Sequence, residues 1–68
     1  MQVHDIQSQT GLSKQTIHYY EKEGLIHPER DNNGYRNYNE QDLQTLILIR
    51  FLRSLEISID DIQLFLKG

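Results

Sequence analysis

The chain contains no cysteine, so its fold holds neither a disulfide nor a thiolate ligand for zinc. It also lacks the apolar N-terminal run of a secretory signal, and no segment approaches the roughly 20 apolar residues of a membrane span. We therefore expect a cytoplasmic protein with no membrane partner. Its 68 residues suffice for one small domain. Such a domain buries about 60% of the unfolded chain's surface and leaves little room for an enclosed substrate cavity.

Residue patterns that support catalysis or metal binding are missing as well. The sequence has no glycine-rich phosphate loop and no neighbouring Ser/His/Asp set, and Asp60 and Asp61 fit the first turn of a helix better than a catalytic pair. The three histidines, His4, His18 and His27, include no i, i+4 pair that would bind a metal from one helix face. The sequence therefore predicts no enzyme, no metal site and no cofactor.

Basic residues are scarce, with seven Lys and Arg against ten Asp and Glu and a net charge of −3. A nucleic-acid-binding domain usually carries a basic footprint, so the overall charge argues against DNA. Net charge is a sum over the whole molecule, however, whereas binding depends on the charge of one face. The overall charge therefore leaves DNA binding open.

Capping residues and apolar spacing predict two short helices near the N-terminus, at residues 3–9 and 14–23. Ser13 is a good N-cap for the second helix, and Gly24 ends it where a left-handed residue is expected. Two helices joined by a short glycine turn form a helix-turn-helix candidate over residues 3–23. Many small helical proteins contain this pattern without binding DNA, so it needs further support.

The second helix carries the side chains that would meet DNA in such a motif. Its first turn, the part that reaches base edges, contains Lys14, Gln15 and Thr16. Tyr20 is predicted to face inward, whereas Tyr19, about 100° further round the helix, is free to donate its hydroxyl to a phosphate. The alternative is a pair of partly buried tyrosines on a solvated helix.

Residues 25–38 predict a small β-hairpin, here called the wing, rather than a helix. The single proline prevents helix continuation, and the sequence "DNNG" is a turn signal that places the hairpin tip near Asn32–Gly34. In the second strand Tyr35 is predicted to pack inward, while Arg36 points outward beside Tyr38. There the guanidinium suits bidentate phosphate contact, although an ordinary surface arginine is the alternative.

A pair of helices is predicted for residues 39–67, after the wing. Asn39 is the N-cap of the third helix, which runs to about Ser54, and Ser58 is the N-cap of the fourth. The third helix has more apolar residues than one core stripe needs. Residues such as Phe51 therefore form either an exposed interface or a surface that the first and fourth helices cover. The predicted apolar face of the fourth helix contains Ile59, Ile62, Phe65 and Leu66.

Three segments resemble successive parts of the MerR-type DNA-binding domain, and they read "TGLSKQTIHYYEKEGLI", "NNGYRNYNEQDLQTL" and "IRFLRSLEISIDDI". In the same order and spacing they cover nearly the whole chain. The resemblance implies a mainly α fold, a winged helix-turn-helix with a small β-hairpin wing followed by a helical pair. The corresponding boundaries are helix-turn-helix 3–23, wing 25–38 and helix pair 39–67.

The resemblance also implies a function, namely sequence-specific binding of double-stranded DNA for transcription regulation. In that reading the recognition helix, residues 14–23, lies in the major groove and the wing lies on the phosphate backbone. Family members act as homodimers on promoter DNA with RNA polymerase, and their effector-sensing parts lie beyond this domain. We therefore expect a fragment of a longer regulator, homodimeric in the intact protein and monomeric when isolated.

The resemblance assigns contact residues by position. The family's "YYE" matches residues 19–21, its wing motif "GYR.Y" matches residues 34–38, and Arg36 falls at the phosphate-contacting position. The family's tyrosines serve phosphate contact and local packing. The resulting predicted contact set comprises Ser13, Lys14, Gln15, Thr16, His18, Tyr19, Tyr20, Tyr35, Arg36 and Tyr38.

Three positions depart from the family pattern. His18 stands where the family usually has arginine, which removes one cationic contact at pH 7 and makes binding depend on pH. Gln7 replaces a small residue of the first helix, and Glu56 replaces the glycine between the third and fourth helices, which opposes a tight turn there. The net charge and His18 support an alternative function, a protein-interaction or excisionase-like accessory module that keeps the fold but binds DNA weakly.

Overall fold

The computed structural model describes residues 1–67, and this part of the chain contains four helices and one two-stranded hairpin. The helices are α1 (Val3–Thr10), α2 (Lys14–Lys22), α3 (Glu40–Ser54) and α4 (Ile59–Lys67), and the strands between α2 and α3 are β1 (Glu29–Arg30) and β2 (Arg36–Asn37). The predicted mainly α, winged helix-turn-helix architecture is confirmed. The helices begin and end within about one residue of their predicted positions, which is the usual uncertainty of a helix end.

Side-chain caps fix where α2, α3 and α4 begin. Ser13 and Ser58 each accept a hydrogen bond at 3.1 Å from the backbone amide three residues later. At the start of α3, Asn39 Oδ1 accepts from the Asp42 amide at 2.7 Å, and Asp42 Oδ2 accepts from the Asn39 amide at 3.0 Å. Each such cap stabilises its helix by about 1 kcal/mol. The three predicted caps are therefore present.

One core forms where α1 packs against α2 and α3, and where α4 packs against α3. Five aliphatic side chains in it are fully buried, Ile6, Ile17, Leu46, Ile49 and Ile62. Gln7 is half-buried at its place in α1, and α1 still packs closely on both neighbouring helices. None of the helices in the described part of the chain is long and apolar enough to cross a membrane.

The turn between α3 and α4 forms although Glu56, not glycine, occupies its left-handed position with φ of 63°. The Glu56 amide donates to the Arg53 carbonyl at 2.9 Å, and the Ile57 amide donates to the Leu52 carbonyl at 3.2 Å. These are the paired hydrogen bonds of a Schellman motif. They hold Glu56 in a conformation that costs a non-glycine residue about 1–2 kcal/mol. The sequence argued against this turn, and the structure corrects that expectation.

Part of the apolar surface of the helix pair stays exposed. Phe51 of α3 is 58% exposed, so the first and fourth helices do not cover it. Phe65 was predicted on the buried face of α4, but it is 63% exposed and that prediction is wrong. It falls three residues after the fully buried Ile62, so helical spacing from a core residue did not suffice to predict its burial. The exposed apolar side chains of the pair are Ile47, Phe51, Leu55, Leu64 and Phe65.

Candidate nucleic-acid interface

The first turn of α2 is open to solvent and is held in shape from within. Lys14 and Gln15 are exposed. Ser13 and Thr16 are joined by a hydrogen bond of 2.8 Å between their hydroxyls, and Ser13 also caps the helix. Two side chains of this turn are therefore free to reach a ligand, while their two neighbours keep the backbone in place.

The two adjacent tyrosines of α2 have separate places. Tyr20 is 6% exposed and lies in the core, as its spacing from the buried Ile17 predicts, whereas Tyr19 is 47% exposed. The two rings touch, with centroids 5.8 Å apart and planes tilted by 51°. The Tyr19 ring is thus supported by protein on one side while much of the side chain stays exposed. The structure places Tyr20 in the core, which weakens its position in the predicted contact set.

The wing is a short hairpin with a rigid tip. β1 and β2 pair antiparallel with Arg30 opposite Arg36. Asp31 Oδ1 accepts from the amides of Asn33 and Tyr35 at 2.9 and 3.0 Å, and Gly34 adopts φ of 83°, which L side chains rarely tolerate. A type I turn followed by a left-handed glycine is a common three-residue hairpin loop. The "DNNG" signal therefore predicted the tip correctly.

The inward side of β2 is the opposite of the one predicted. Tyr35 is 69% exposed, while Tyr38 is 1% exposed, and Arg36, on the same side of the strand as Tyr38, turns toward α2. Tyr38 fills the core beneath the wing, and burial raises the pKa of its hydroxyl. The alternation of side chains along β2 was right and its assignment to inner and outer faces was wrong. Tyr38 therefore leaves the predicted contact set, because its side chain does not reach the surface.

Glu21 links the recognition helix to both strands of the wing. Its Oε1 accepts a hydrogen bond at 2.6 Å from Nε of Arg36, and its Oε2 lies 3.9 Å from a guanidinium nitrogen of Arg30. Arg30 also donates to the Gly34 carbonyl at 3.1 Å, so the same network reaches the hairpin tip. Sequence reasoning gave Glu21 no role. The sequence offered one indication of such a role. Glu21 is the acidic residue of α2, and it directly follows two tyrosines of the predicted contact set.

The first residue of the chain holds the wing from the other side. The Met1 carbonyl accepts from the Tyr38 amide at 2.7 Å, and the Met1 ammonium donates to the Tyr38 carbonyl at 2.7 Å. The ammonium also donates to Asn37 Oδ1 at 2.9 Å. The edge of β2 is thereby tied to the start of α1, a contact that no local sequence pattern indicates.

A cleft of about 430 Å³ opens between α2 and the wing. It brings together side chains that are some twenty residues apart in sequence, and its lining comprises Gln2, Val3, Lys14, His18, Gly34, Tyr35 and Arg36. Lys14 and Arg36 supply cationic donors from two different elements. A pocket of this kind, with few polar groups converging on one place, suits an anion such as a phosphate.

His18 lies half-buried in this cleft. Burial lowers the pKa of its imidazole below the ordinary value of 6.5, and the Arg36 guanidinium lowers that pKa further. Glu21 acts in the opposite direction, while Lys14 and Arg30 add to the lowering. The imidazole is therefore neutral at pH 7 in the unbound protein. Among residues 1–67, no group of three or more His, Cys, Asp or Glu side chains is placed to hold a metal ion.

The sequence matches a family of known regulators over its whole length. Residues 1–68 match the family model described as MerR HTH family regulatory protein. Among curated proteins, the HTH-type transcriptional regulator HmrR of Rhizobium leguminosarum bv. viciae is 39% identical over 61 residues. That match covers 90% of this chain and 47% of HmrR.

Solved structures give the same relationship. HiNmlR, a MerR family regulator lacking the sensor domain and bound to promoter DNA, matches with a TM-score of 0.91 and 32% identity over 98% of this chain and 52% of HiNmlR. The transcription regulator PbrR691 from Ralstonia metallidurans CH34, in complex with lead(II), matches with a TM-score of 0.90 and 32% identity over 98% of this chain and 53% of PbrR691. The chain spans about half the length of these relatives, which are transcription regulators and not enzymes.

Proposed function

Because the chain belongs to the MerR family of helix-turn-helix regulators, we propose that it binds double-stranded DNA sequence-specifically to regulate transcription. One observation carries this proposal. A single open cleft is lined by cationic side chains of both α2 and the wing, and it adjoins the exposed first turn of α2. The relative HiNmlR, which shares this fold at a TM-score of 0.91, is bound to promoter DNA.

The proposed docking places α2 in the major groove. An α-helix with its side chains is about 10–12 Å across, close to the roughly 12 Å width of that groove. Lys14 and Gln15 then face base edges, Tyr19 faces a phosphate, and Arg36 meets the backbone from the wing. Ser13 and Thr16 hydrogen-bond to each other and keep the backbone of the first turn in the conformation that presents Lys14 and Gln15.

The negative net charge is compatible with this docking because charge is unevenly placed. Asp60 and Asp61 lie on α4, which contributes no residue to the cleft. At 0.1 M salt, exposed charges more than about 10 Å apart are largely screened from each other. A duplex on the cleft therefore responds mainly to the nearby charges, namely Lys14, Arg36 and the Glu21 carboxylate that pairs with Arg36.

The test is in vitro selection from a pool of random duplexes at low salt. The domain is expected to enrich a shared half-site and to bind unrelated duplexes with a Kd of about 10⁻⁴–10⁻⁶ M. Binding without enrichment of any sequence would show that the domain binds DNA non-specifically. Absence of binding would instead support the alternative function, a protein-interaction or accessory module, which the net charge of −3 and the neutral His18 favour.

The intact regulator is proposed to be a longer homodimer that acts on promoter DNA with RNA polymerase in the bacterial cytoplasm. The relatives' roughly twofold greater length supports a further segment. The exposed apolar residues Ile47 and Phe51 of α3, and Leu55 directly after it, support burial in an assembly. Two linked half-sites gain about 10²–10⁴ in avidity. The isolated domain is accordingly expected to sediment as a monomer and to bind weakly.

A further inference from the structure

We propose that His18 is a proton-coupled phosphate ligand. When duplex DNA occupies the cleft between α2 and the wing, the imidazole takes up one proton and donates to a backbone phosphate, so that affinity for DNA rises as pH falls. This inference rests on the proposed function and adds to it a chemical role for one residue of this chain.

The position of His18 is the first support. It lines the cleft together with Lys14 and Arg36, one turn along α2 from Lys14 and across the cleft from Arg36. Within residues 1–67 the imidazole forms no hydrogen bond to another protein group. Its ring nitrogens are therefore available to a ligand at the point where two permanent cations already converge.

Burial and the neighbouring charges keep His18 neutral before DNA binds. Burial lowers the imidazole pKa most, and Arg36 on β2 is the next cause. Lys14 on α2 and Arg30 on β1 act in the same direction. Glu21 raises the pKa, but its carboxylate is engaged by Arg36 at 2.6 Å. Three cations thus oppose protonation and one partly neutralised carboxylate favours it.

The remaining surroundings do not change this balance. The start of α1 contributes Gln2 and Val3 to the cleft, and neither side chain is charged. The wing also contributes Gly34 and Tyr35 to the lining, and none of the described residues that line the cleft is acidic. Burial and the cationic groups together therefore favour the neutral form of His18, and an anion in the cleft acts against both.

A bound phosphate raises the imidazole pKa because it places a negative charge beside the ring. An opposite charge within about 4–6 Å moves the pKa of a group by about 1–3. Above the bound-state pKa neither form carries the proton, and below the free-state pKa both forms do. Between these two values the complex binds one more proton than the free protein, so affinity rises by up to about tenfold for each pH unit of acidification.

The experiment measures affinity for a short duplex of mixed sequence by fluorescence anisotropy at constant low salt, between about pH 5.5 and 8. A sequence-independent probe suffices because a phosphate contact does not read bases. The wild-type domain is expected to bind more tightly as pH falls. His18→Gln is expected to bind with the same affinity at every pH, and that affinity is expected to equal the one that the wild type shows at high pH. His18→Arg, which is always charged, is expected to bind tightly with little pH dependence.

The other two histidines provide matched controls. His4 is exposed beside Asp5, and His27 is exposed outside this cleft. His4→Gln and His27→Gln are expected to keep the pH dependence of the wild type. Circular dichroism melts of all variants verify that each is folded at the pH of the binding measurement.

A proton NMR titration of the His18 ring gives a second, direct readout. The pKa is expected to lie below 6.5 in the free domain and to increase when the duplex is added. An unchanged pKa in the complex, or a wild-type pH profile in His18→Gln, overturns the role of His18 while leaving DNA binding intact. Absence of duplex binding by every variant, His18→Arg included, overturns both this inference and the proposed function.

Discussion

Glu21 is the residue through which α2 fixes the wing. Its carboxylate contacts Arg36 at 2.6 Å and lies 3.9 Å from Arg30. The Glu21 and Arg36 side chains are 22% and 31% exposed, so water screens their pairing only in part. The pair orders the Arg36 guanidinium, which is proposed to contact a phosphate. The Glu21 carboxylate also places a negative charge near the DNA, and we infer that the ordering of Arg36 outweighs this repulsion.

Replacing Glu21 with glutamine is expected to lower the free energy of unfolding by about 1 kcal/mol, because a charge-assisted hydrogen bond becomes a neutral one. Urea denaturation of Glu21→Gln, Arg36→Gln and the double variant measures their coupling. Glu23→Gln is the control, since Glu23 has no ion pair within residues 1–67. A coupling energy near zero would show that the contact between Glu21 and Arg36 does not stabilise the fold.

Tyr38 and Tyr19 have different roles. The Tyr38 side chain is part of the core, whereas Tyr19 is proposed to contact DNA. The Tyr38 hydroxyl is buried and has no hydrogen-bond partner among the described protein groups. Tyr38→Phe is therefore expected to leave stability unchanged or raise it by about 1 kcal/mol, with no change in DNA affinity. Tyr19→Phe removes an exposed hydroxyl and is expected to weaken duplex binding at unchanged stability. Thermal melts and anisotropy titrations check both, and a loss of affinity in Tyr38→Phe alone would contradict this assignment.

At the scale of the elements, the turn between α3 and α4 stores strain at one residue. Glu56 adopts φ of 63° and is exposed. Glu56→Gly is expected to stabilise the domain by about 1 kcal/mol, because relief of a left-handed non-glycine residue exceeds the added freedom of the unfolded chain. Glu40→Gly, at the first position of α3, is the opposite control and is expected to destabilise. A lower melting temperature for Glu56→Gly would mean that its side chain supports the turn.

The elements also show what local sequence determines. Ser13, Asn39 and Ser58 act within three residues of their own backbone, so the starts of three helices were predictable. β2 contains two residues, too few for a periodic pattern to mark its inner face. Its orientation is set by Glu21, fifteen residues earlier than Arg36, and only the folded chain reveals that contact.

For the molecule as a whole, the family resemblance predicted the architecture, and its predicted contact residues stay a prediction. Three of these residues, Lys14, His18 and Arg36, line one cleft, which the sequence did not indicate. The exposure of Phe51 and Phe65 was not determined by helical spacing, because it depends on how little of α3 the short α4 covers. The packing of the helices against each other therefore decides which apolar residues stay exposed and available to a partner.

The central claim is that α2 and the wing form one DNA-binding face. It is tested most directly by the salt dependence of duplex binding for the wild type, Lys14→Ala and Arg36→Ala. Arg50→Ala serves as a matched control, because Arg50 is exposed on α3 outside the cleft. We expect the slope of log K against log salt to decrease in magnitude by about 0.9 for each of the first two variants and to stay unchanged for the third. Equal slopes for all four proteins, or a decrease for Arg50→Ala alone, would contradict the claim.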